Sequence, residues 1–318
     1  MPGLVRAYKK LLRVPNEVQL YDLVKAGRVS RDLAVTCRGK TDGAGAQANA
    51  CISAMAFANA MGLNYLHTPF QRIEHAVGDP AEWTRKWERF FGLGDGETHV
   101  GPDHEAVPLK KYLDSAKHWR ASGKTVEAQH YLGICNRHSD FYDAILPRLR
   151  EKYAANDKSH IGLDRGEEPL VAAVHIRRGD VSKADPTTAD RFTDDKRILD
   201  TVKSLQGLAA SLGAGLRVNV YSEGKPQDFA AFSELGCHLH IGKDAFETVH
   251  NLGASDVLVT AKSAFSFVAG WLSDGVKLYE PVNTIAPQDW LLLDGLGGFD
   301  EGAVKTRVAA RLAHKRRG

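Results

Sequence analysis

The sequence predicts an α/β protein whose strands form doubly wound parallel sheets. Three observations lead to this prediction. The chain has 318 residues, which corresponds to about two domains of roughly 150 residues each. Hydrophobic residues make up 43% of the sequence and charged residues 25%, as in a globular protein rather than a disordered or fibrous one. In the second half, short apolar runs alternate with helical stretches, which is typical of βαβ units.

The second half contains the clearest elements. The run LVAAVHI at residues 170–176 is apolar and β-branched, as expected of a strand buried on both faces of a parallel sheet. Further strands are predicted at 216–221, 238–241, 256–260 and 276–279, and helices at 194–212, 227–235, 245–254 and 263–273.

The first half is less regular. A strand is predicted at 33–37, followed by a glycine-rich loop, an alanine-rich helix at 47–61 and a strand at 63–66. Helices are also predicted at 112–121 and 142–153. The polar segment 156–168 is interpreted as the interdomain linker, so the predicted domains are residues 1–160 and 161–318.

Composition narrows the classes of function. The four cysteines, Cys37, Cys51, Cys135 and Cys237, are too few and too widely spaced to predict a disulfide framework or a zinc site. Together with the absence of a secretory signal and of a long apolar span, this favours a cytoplasmic protein. Aromatic residues are 8% of the chain and form no stripe with basic residues, so nucleic acid is not an expected partner.

Positive charge is concentrated at the two ends. Residues 1–40 hold nine Lys and Arg against three acids, and residues 305–318 hold six against none. These ends could contact an anionic membrane surface, or they could be ordinary solvated segments.

The segment from Val174 to Asp180 is the strongest local signal. It lies where the strand at 170–176 runs out into a loop, and ligands of open α/β sheets bind at the carboxyl ends of strands. Arg177 and Arg178 suit a diphosphate, because a guanidinium keeps its charge and matches pairs of phosphate oxygens. Alternatively, the two arginines only pair with Asp180 and Asp185.

Ser263 and Ser266 lie at the predicted start of a helix. Free backbone N–H groups and the helix dipole favour an anion there. A serine at this position is also a common helix N-cap, so both interpretations stay open.

Three short motifs resemble those of the fucosyltransferase superfamily, which includes α1,2-, α1,6- and protein O-fucosyltransferases. His175-Ile-Arg177-Arg178-Gly-Asp180 resembles its His-x-Arg-Arg-x-Asp motif. Gly43-Ala-Gly45-Ala-Gln47 resembles its early Gly-x-Gly-Asn-Gln turn, and residues 256–266 resemble its late strand-to-helix motif. The strand at 218–223 takes the place of a family strand that ends in Thr/Ser-Asp.

The resemblance implies two Rossmann-like domains facing across a cleft, the glycosyltransferase-B arrangement, with GDP-fucose as donor on the C-terminal domain. It implies that Arg177 holds the β-phosphate and that His175 lies near the nucleotide. The remaining residues assigned to the donor site are Arg178, Gly43, Gly45, Ser222, Glu223, Glu247, Ser263, Phe265 and Ser266.

The resemblance also implies inversion at the transferred sugar, which needs a base for the proton of the acceptor hydroxyl. In the α1,6 branch a carboxylate eight residues beyond the first motif arginine does this, and that position is Asp185 here. Asp180 is the other candidate, with a structural role more typical of the family.

No metal or cofactor is expected. None of the 24 aspartates belongs to an Asp-x-Asp sequence, the metal-chelating signature of other nucleotide-sugar transferases. Charge on departing GDP would then be stabilised by arginine and backbone dipoles. His238 and His240 share one face of a strand but lack a third ligand in sequence reach.

The acceptor, a glycan or another hydroxyl compound, is expected on the N-terminal domain. Its rim could include Tyr65, His67, Gln71, Arg72, Glu74 and His75. Trp83 and Trp87 could stack on sugars, although their i, i+4 spacing favours helix-core positions. The family asparagine is replaced by Ala46, which weakens any inference about the acceptor.

Besides a transferase that uses another nucleotide sugar, two other classes of function are weighed. Gly43-x-Gly45-x-x-Ala48 also fits an NAD(P) fingerprint, but residues 38–42 separate it from its strand and the acid for the ribose is missing. A non-catalytic carbohydrate-binding protein is the other alternative. It would have little reason to keep Arg177 and Arg178 beside a carboxylate at position 185.

Overall fold

The computed structural model describes residues 14–101, 104–281 and 286–316. Within them the chain forms two compact units. The first contains residues 14–42, 50–88 and 92–145, and the second contains residues 43–49, 89–91 and 146–316. The basic residues before position 14, and Arg317, lie outside the described residues.

The first unit is a five-stranded sheet with helices around it. All strand pairs are parallel, and the order is β3-β2-β1-β5-β4. The strands are β1 (Ala34–Cys37), β2 (Asn64–His67), β3 (Thr98–His99), β4 (Ala106–Pro108) and β5 (Thr125–Ala128). The helices are α1 (Asn16–Lys25), α2 (Ala44–Met61), α3 (Pro80–Phe91), α4 (Leu109–Leu113), α5 (Ala116–Trp119), α6 (Leu132–Cys135) and α7 (Asp140–Asp143). The first turn of α2 and the last of α3 belong to the second unit.

The second unit is a six-stranded parallel sheet. Its strands are β6 (Leu170–Ile176), β7 (Leu216–Ser222), β8 (His238–Ile241), β9 (Val257–Val259), β10 (Val276–Tyr279) and β11 (Leu291–Leu292). The helices are α8 (Leu146–Ala155), α9 (Asp195–Ser211), α10 (Ala230–Glu234), α11 (Ala245–Ala254), α12 (Ala264–Leu272) and α13 (Glu301–Lys315). Short 3-10 turns occur at Ala189–Arg191 and Pro226–Phe229.

The strand order of the second sheet is β11-β10-β9-β6-β7-β8. Numbered from β6, this is the 3-2-1-4-5-6 order of the Rossmann fold, and the direction of winding reverses between β6 and β9. The chain leaves β6 toward β7 and leaves β9 toward β10, so a crevice opens where their carboxyl ends meet. The predicted α/β class with parallel sheets is therefore confirmed.

The core of the second unit follows from this order. β6 lies in the middle of the sheet and six of its seven residues are buried. Leucine, isoleucine and valine side chains of α9 cover one part of the sheet, and Val304, Val308 and Leu312 of α13 pack into the same cluster. Burying such side chains contributes roughly 1.5–3 kcal/mol each relative to leaving them exposed.

The C-terminal helix is also held by charge. Asp256, only 2% exposed, accepts a hydrogen bond from Val171 N at 2.8 Å and pairs with Arg311 at 2.8 Å and Lys315 at 2.6 Å. Arg311 and Lys315 are thus part of the fold. Contact of the basic ends with a membrane stays a prediction.

The first half differs most from the prediction. The helix predicted at 112–121 is instead two short helices, α4 and α5, since the chain turns at residues 114–115. The helix predicted at 142–153 is divided into α7 and α8. Strands β3, β4 and β5 were not predicted, because they have two to four residues each.

Segment 156–168 packs on the second unit instead of linking two bodies freely. Asp164 pairs with Arg217 at 2.7 Å, and its backbone N–H donates to Asn251 Oδ1 at 2.8 Å. The first unit ends at Ile145 and the rest of the second unit begins at Leu146, whereas the predicted boundary was at residue 160. The roles assigned to the two predicted domains remain predictions.

Candidate functional site

The segment His175–Asp180 lies at the carboxyl edge of the second sheet. His175 and Ile176 end β6, which is hydrogen-bonded to β7 on one side and to β9 on the other. Arg177 therefore emerges at the reversal point between β6 and β9. The expectation that this segment reaches the carboxyl edge of a parallel sheet is confirmed.

Arg177 is held in a fixed orientation. Its Nε donates to Asp180 Oδ1 at 3.1 Å and its Nη2 donates to Asp180 Oδ2, so the guanidinium and carboxylate form a two-bond fork. Nη1 donates to the carbonyl of Lys262 at 3.3 Å, across the crevice on the loop after β9. The Arg177 side chain is 20% exposed, so its charge is accessible while its direction is set by both strands.

Asp180 accepts both hydrogen bonds of this fork from Arg177. Its hydrogen bond with Arg177 lowers the pKa of the carboxyl, and its side chain is 52% exposed. A carboxylate with a lowered pKa is a poor proton acceptor near neutral pH. The contacts of Asp180 therefore support orientation of Arg177.

Arg178 has different surroundings. Its guanidinium donates to the carbonyl oxygens of Arg177 at 2.8 Å and Thr193 at 2.9 Å, and it pairs with Asp195. It also lies over the Phe192 ring, 4.1 Å from the centroid. These contacts hold the loop of residues 177–194 back against the start of α9. Arg178 and Arg177 therefore do not form a matching pair toward one ligand.

His175 is a neutral imidazole in this site. Burial, reinforced by the charge of Arg177, lowers its pKa to about 4. Its ring lies 5.7 Å from the ring of Phe265. Among the described residues, its buried Nδ1 has no hydrogen-bond partner. A buried polar atom without a partner is costly, so this nitrogen is available to a ligand hydroxyl or amide.

The turn from β9 into α12 forms the other wall of the crevice. Ser263 is the N-cap of α12 and accepts a hydrogen bond from Phe265 N at 3.2 Å. Ser266 is fully buried and accepts a hydrogen bond from Ala261 N at 3.1 Å. The N-cap interpretation of Ser263 is confirmed, and Ser266 shapes the turn from inside. An anion at this helix start stays a prediction.

Gly45 allows the first turn of α2 to approach the first turn of α12 closely. An ideal Cβ at residue 45 would lie 2.6 Å from Phe265 Cα and 2.8 Å from Phe265 N. Only glycine fits there, because the first turn of α2 rests on the backbone of the first turn of α12. Gly43 has open space around its Cα and accepts hydrogen bonds from Ala46 N and Gln47 N. The space beside Gly45 is thus filled by protein backbone, unlike the pyrophosphate space of an NAD(P) fingerprint.

The end of β7 closes one side of the site. Ser222 Oγ donates to the carbonyl of Ile176 at 2.8 Å, which ties β7 to β6. The carboxylate of Glu223 packs against Gly179, where an added Cβ would lie 1.9 Å from Oε2 and where φ is +80°. Glu247 lies in the first turn of α11, the helix that connects β8 to β9. The structure therefore brings Ser222 to Ile176 and Glu223 to Gly179, and the role of Glu247 at the donor site stays a prediction.

Asp185 stabilises the loop that follows Arg177 through hydrogen bonds within that loop. Its Oδ1 accepts hydrogen bonds from Thr187 N at 2.9 Å and Thr187 Oγ1 at 2.8 Å, and Oδ2 accepts one from Thr188 Oγ1 at 3.2 Å. The backbone hydrogen bond from Thr187, first among these, lowers the pKa of Asp185. Its role as catalytic base stays a prediction, and its contacts are those of a turn residue.

Several residues of this edge were not recognised in the sequence. Lys262 and Arg197 each lie 3.1 Å from Glu280 Oε1, and Glu280 directly follows β10. A cavity of about 30 Å³, the edge cavity, opens beside them. Its lining includes His175, Arg177, Arg191, Arg197, Thr260 and Glu280. Glu280 reaches the edge cavity because β10 pairs with β9, and no local sequence motif predicts that pairing.

The first unit has a buried polar network at the end of β2. His67 is fully buried, with Nδ1 3.0 Å from Tyr65 Oη and Nε2 2.6 Å from Glu88 Oε1. The expectation that His67 lies on an acceptor rim is wrong, because both of its ring nitrogens are bonded inside the unit. Trp83 and Trp87 are 8% and 2% exposed, which confirms their interpretation as core residues.

Among the described residues, no group of three or more His, Cys, Asp or Glu side chains is placed to hold a metal ion. His238 and His240 have separate neighbours, Arg217 at 3.0 Å and Asp164 at 2.9 Å. Within the same residues, no helix combines the length and apolarity that crossing a membrane requires.

No protein-family model and no curated protein matches this sequence. The chain is similar to the structure of POFUT1 in complex with GDP, with a TM-score of 0.39 and 14% identity over 82% of this chain and 98% of that one. It is similar to Arabidopsis thaliana FUT1 in complex with GDP, with a TM-score of 0.41 and 14% identity over 87% and 78%. For E. coli heptosyltransferase WaaC with ADP-2-deoxy-2-fluoro heptose, the TM-score is 0.38 and the identity 13% over 88% and 99%. The function proposed for this chain therefore rests on its own residues.

Proposed function

We propose that this protein is a glycosyltransferase that binds a nucleoside-diphosphate sugar at the carboxyl edge of its second sheet. One observation carries the proposal. A fixed, accessible arginine, Arg177, lies at the point where a Rossmann-ordered sheet reverses its winding. That is where nucleotides bind in doubly wound folds, and an arginine fork is suited to phosphate oxygens.

The surrounding charges support a diphosphate as ligand. Arg177, Arg191 and Arg197 line the edge cavity, and Glu280 is its single lining carboxylate among the described residues. The N-terminus of α12, at Ala264, faces the same edge with the positive end of its dipole. Donors held in place before the reaction stabilise charge that develops on a leaving diphosphate.

The donor in this proposal is GDP-fucose, because the motifs around His175, Gly43 and Ser263 together resemble those of fucosyltransferases. Transfer goes to a glycan or another hydroxyl acceptor, with inversion and without a metal. Arg177 and the helix start then take the part that a divalent cation takes in other transferases. A neutral His175 fits this scheme, since it can hydrogen-bond to an uncharged part of the nucleotide.

The proposed proton acceptor is Asp185. Asp185 has the spacing of the family base, but both of its oxygens accept hydrogen bonds within its own loop. Residues of the first unit are the proposed surroundings of the acceptor. Within the described part of that unit, Glu88, whose side chain is 23% exposed, is paired with the fully buried His67 rather than left as an open base.

Donor screening tests the proposal directly. The purified protein would be titrated by calorimetry with GDP, UDP, ADP and NAD, and then assayed for turnover of GDP- and UDP-sugars. We expect binding of GDP and release of GDP from GDP-fucose. Binding of NAD without GDP would instead favour an oxidoreductase, and binding of glycans without any nucleotide would favour a carbohydrate-binding protein.

Arg177→Ala is the decisive variant, and Arg217→Ala is its matched control. Both arginines are mostly buried, with side chains 20% and 14% exposed, and both pair with a carboxylate. Arg217 lies near the start of β7, however, at the opposite edge of the sheet. Hydrogen bonds to charged groups contribute about 1.5–3 kcal/mol, so Arg177→Ala should weaken GDP binding roughly 10- to 150-fold. Equal GDP affinity in the two variants would refute the proposed site.

A further inference from the structure

Of the two adjacent arginines, Arg177 is the proposed donor-binding residue, whereas the contacts of Arg178 are all within the protein. Arg178 donates to two carbonyl oxygens and to Asp195, and it covers the Phe192 ring. Its side chain is 15% exposed. Moving it toward a ligand would break all of these contacts. A diphosphate carries more negative charge than Arg177 alone neutralises, so a second cation beside it would strengthen binding.

Arg191 lies where that cation would act. It ends the 3-10 turn Ala189–Arg191 and lines the edge cavity together with Arg177. It influences the same carboxylate as Arg177, since both arginines lower the pKa of Asp180. In the described part of the chain, the Arg191 side chain donates no hydrogen bond and forms no ion pair, and it is partly buried. Its guanidinium is therefore free to bind an anion that reaches the cavity.

The loop holds this turn in place from two sides. Lys262 Nζ donates to the carbonyl of Asp190 at 3.1 Å, which fastens the turn to the loop after β9. Asp185 accepts bonds from Thr187 and Thr188, and its own carbonyl accepts from Ala189 N at 2.8 Å. The turn is therefore built before any ligand arrives.

The edge cavity also contains polar atoms without partners. Arg197 Nε and His175 Nδ1 are buried and unbonded among the described residues. Both side chains line the cavity with Arg191. A volume of about 30 Å³ holds one or two water-sized groups rather than a nucleoside. Its chemistry suits phosphate oxygens or hydroxyl groups that enter from the crevice.

We infer that Arg191 is a second phosphate-binding residue of the donor site, paired across Asp180 with Arg177, and that Arg178 instead fastens the loop that presents it. This inference rests on the proposed function and deepens it. Arg177 and Arg191 approach the diphosphate from the two ends of one loop. The cavity between them receives oxygen atoms of the terminal phosphate, which GDP has and GMP lacks.

The comparison of GDP with GMP tests this assignment. Calorimetry would measure the affinity of both nucleotides for the wild-type protein, Arg191→Ala and Lys183→Ala. Lys183 belongs to the same loop and its side chain is 73% exposed in a pair with Asp194, so its variant removes an equal charge outside the cavity. We expect Arg191→Ala to weaken GDP binding about 10- to 100-fold, as for loss of one charge-assisted contact. GMP binding should change less than about threefold, and Lys183→Ala should leave both affinities near wild type.

The outcomes separate this inference from the proposed function. If wild-type protein binds GDP and Arg191→Ala binds it equally well, Arg191 has no phosphate role and the inference fails while the donor site stands. An equal loss for GDP and GMP would also overturn it, because the contact would not involve the terminal phosphate. If wild-type protein binds no nucleoside diphosphate, the proposed function itself fails. Arg191→Lys should recover part of the GDP affinity, since charge is kept and the fork is lost.

Discussion

Gly45→Ala tests the close approach of two helix starts at the candidate site. An added Cβ would lie 2.6 Å from Phe265 Cα, 2.8 Å from Phe265 N and 3.0 Å from the carbonyl carbon of Ala264. Carbon atoms pack at about 3.5–4.0 Å, so the methyl group overlaps three backbone atoms. Backbone cannot rotate away as a side chain can, and one of the two helices has to move.

The expected cost follows from opposing effects. Overpacking of this kind destabilises by about 1–3 kcal/mol, while alanine gains up to about 1 kcal/mol over glycine in a helix. Taking about 2 kcal/mol for overpacking, less up to about 1 kcal/mol for the helix, the net loss should be about 1–2 kcal/mol, or roughly 1.5–3 °C in Tm for a chain of 318 residues. The turn that holds Ser263 should shift with α12, so GDP affinity should fall as well.

Thermal denaturation and calorimetry with GDP would measure both effects. Gly43→Ala is the matched stability control, because nothing lies within 4 Å of a Cβ added at that residue. It should change the free energy of unfolding by less than about 1 kcal/mol. If Gly45→Ala is as stable as Gly43→Ala and binds GDP normally, the contact between α2 and α12 is wrong.

Three further predictions follow from the charges. His175 has a pKa of about 4 against 6.5 when unfolded, so between those values only the unfolded state gains its proton. Stability should therefore fall by up to about 3 kcal/mol as pH drops from 7 to 4, and His175→Asn should lack this loss in denaturant titrations. Asp185→Asn keeps an oxygen that can accept the loop's hydrogen bonds but loses the basic carboxylate, so turnover should fall about 10²- to 10⁴-fold while the fold is retained, and turnover within about tenfold of wild type would refute Asp185 as the base. Asp256→Ala should cost about 3 kcal/mol in chemical unfolding, against less than about 0.5 kcal/mol for the exposed Asp200→Ala, and similar values would contradict the buried-pair account.

The second unit was largely predictable because its strands are continuous apolar runs. The run at 170–176 became β6 at the predicted residues, and the segment from Val174 to Asp180 followed it to the carboxyl edge. Strand β5 was missed, since Thr125–Ala128 has four residues, and an alternation of polar and apolar residues over so short a segment does not distinguish a strand from a loop. Its place depends on pairing with β1 and β4, which are distant in sequence.

The site was predictable only where chemistry and a strand end coincide. Arg177 satisfied both conditions. Its neighbour Arg178 was assigned to the same site because the sequence does not show that its guanidinium is hydrogen-bonded to Arg177, Thr193 and Asp195. Glu280 and Arg191 were missed because their positions depend on tertiary structure. The position of Glu280 depends on strand order, and that of Arg191 on a loop that Asp185 and Lys262 hold in shape.

A crystal structure of the protein with GDP would test the central claim most directly. The account predicts that the β-phosphate lies at the ends of β6 and β9, within hydrogen-bonding distance of the Arg177 guanidinium. Nucleotide density at any other place, with Arg177 still bonded only to Asp180 and Lys262, would contradict it.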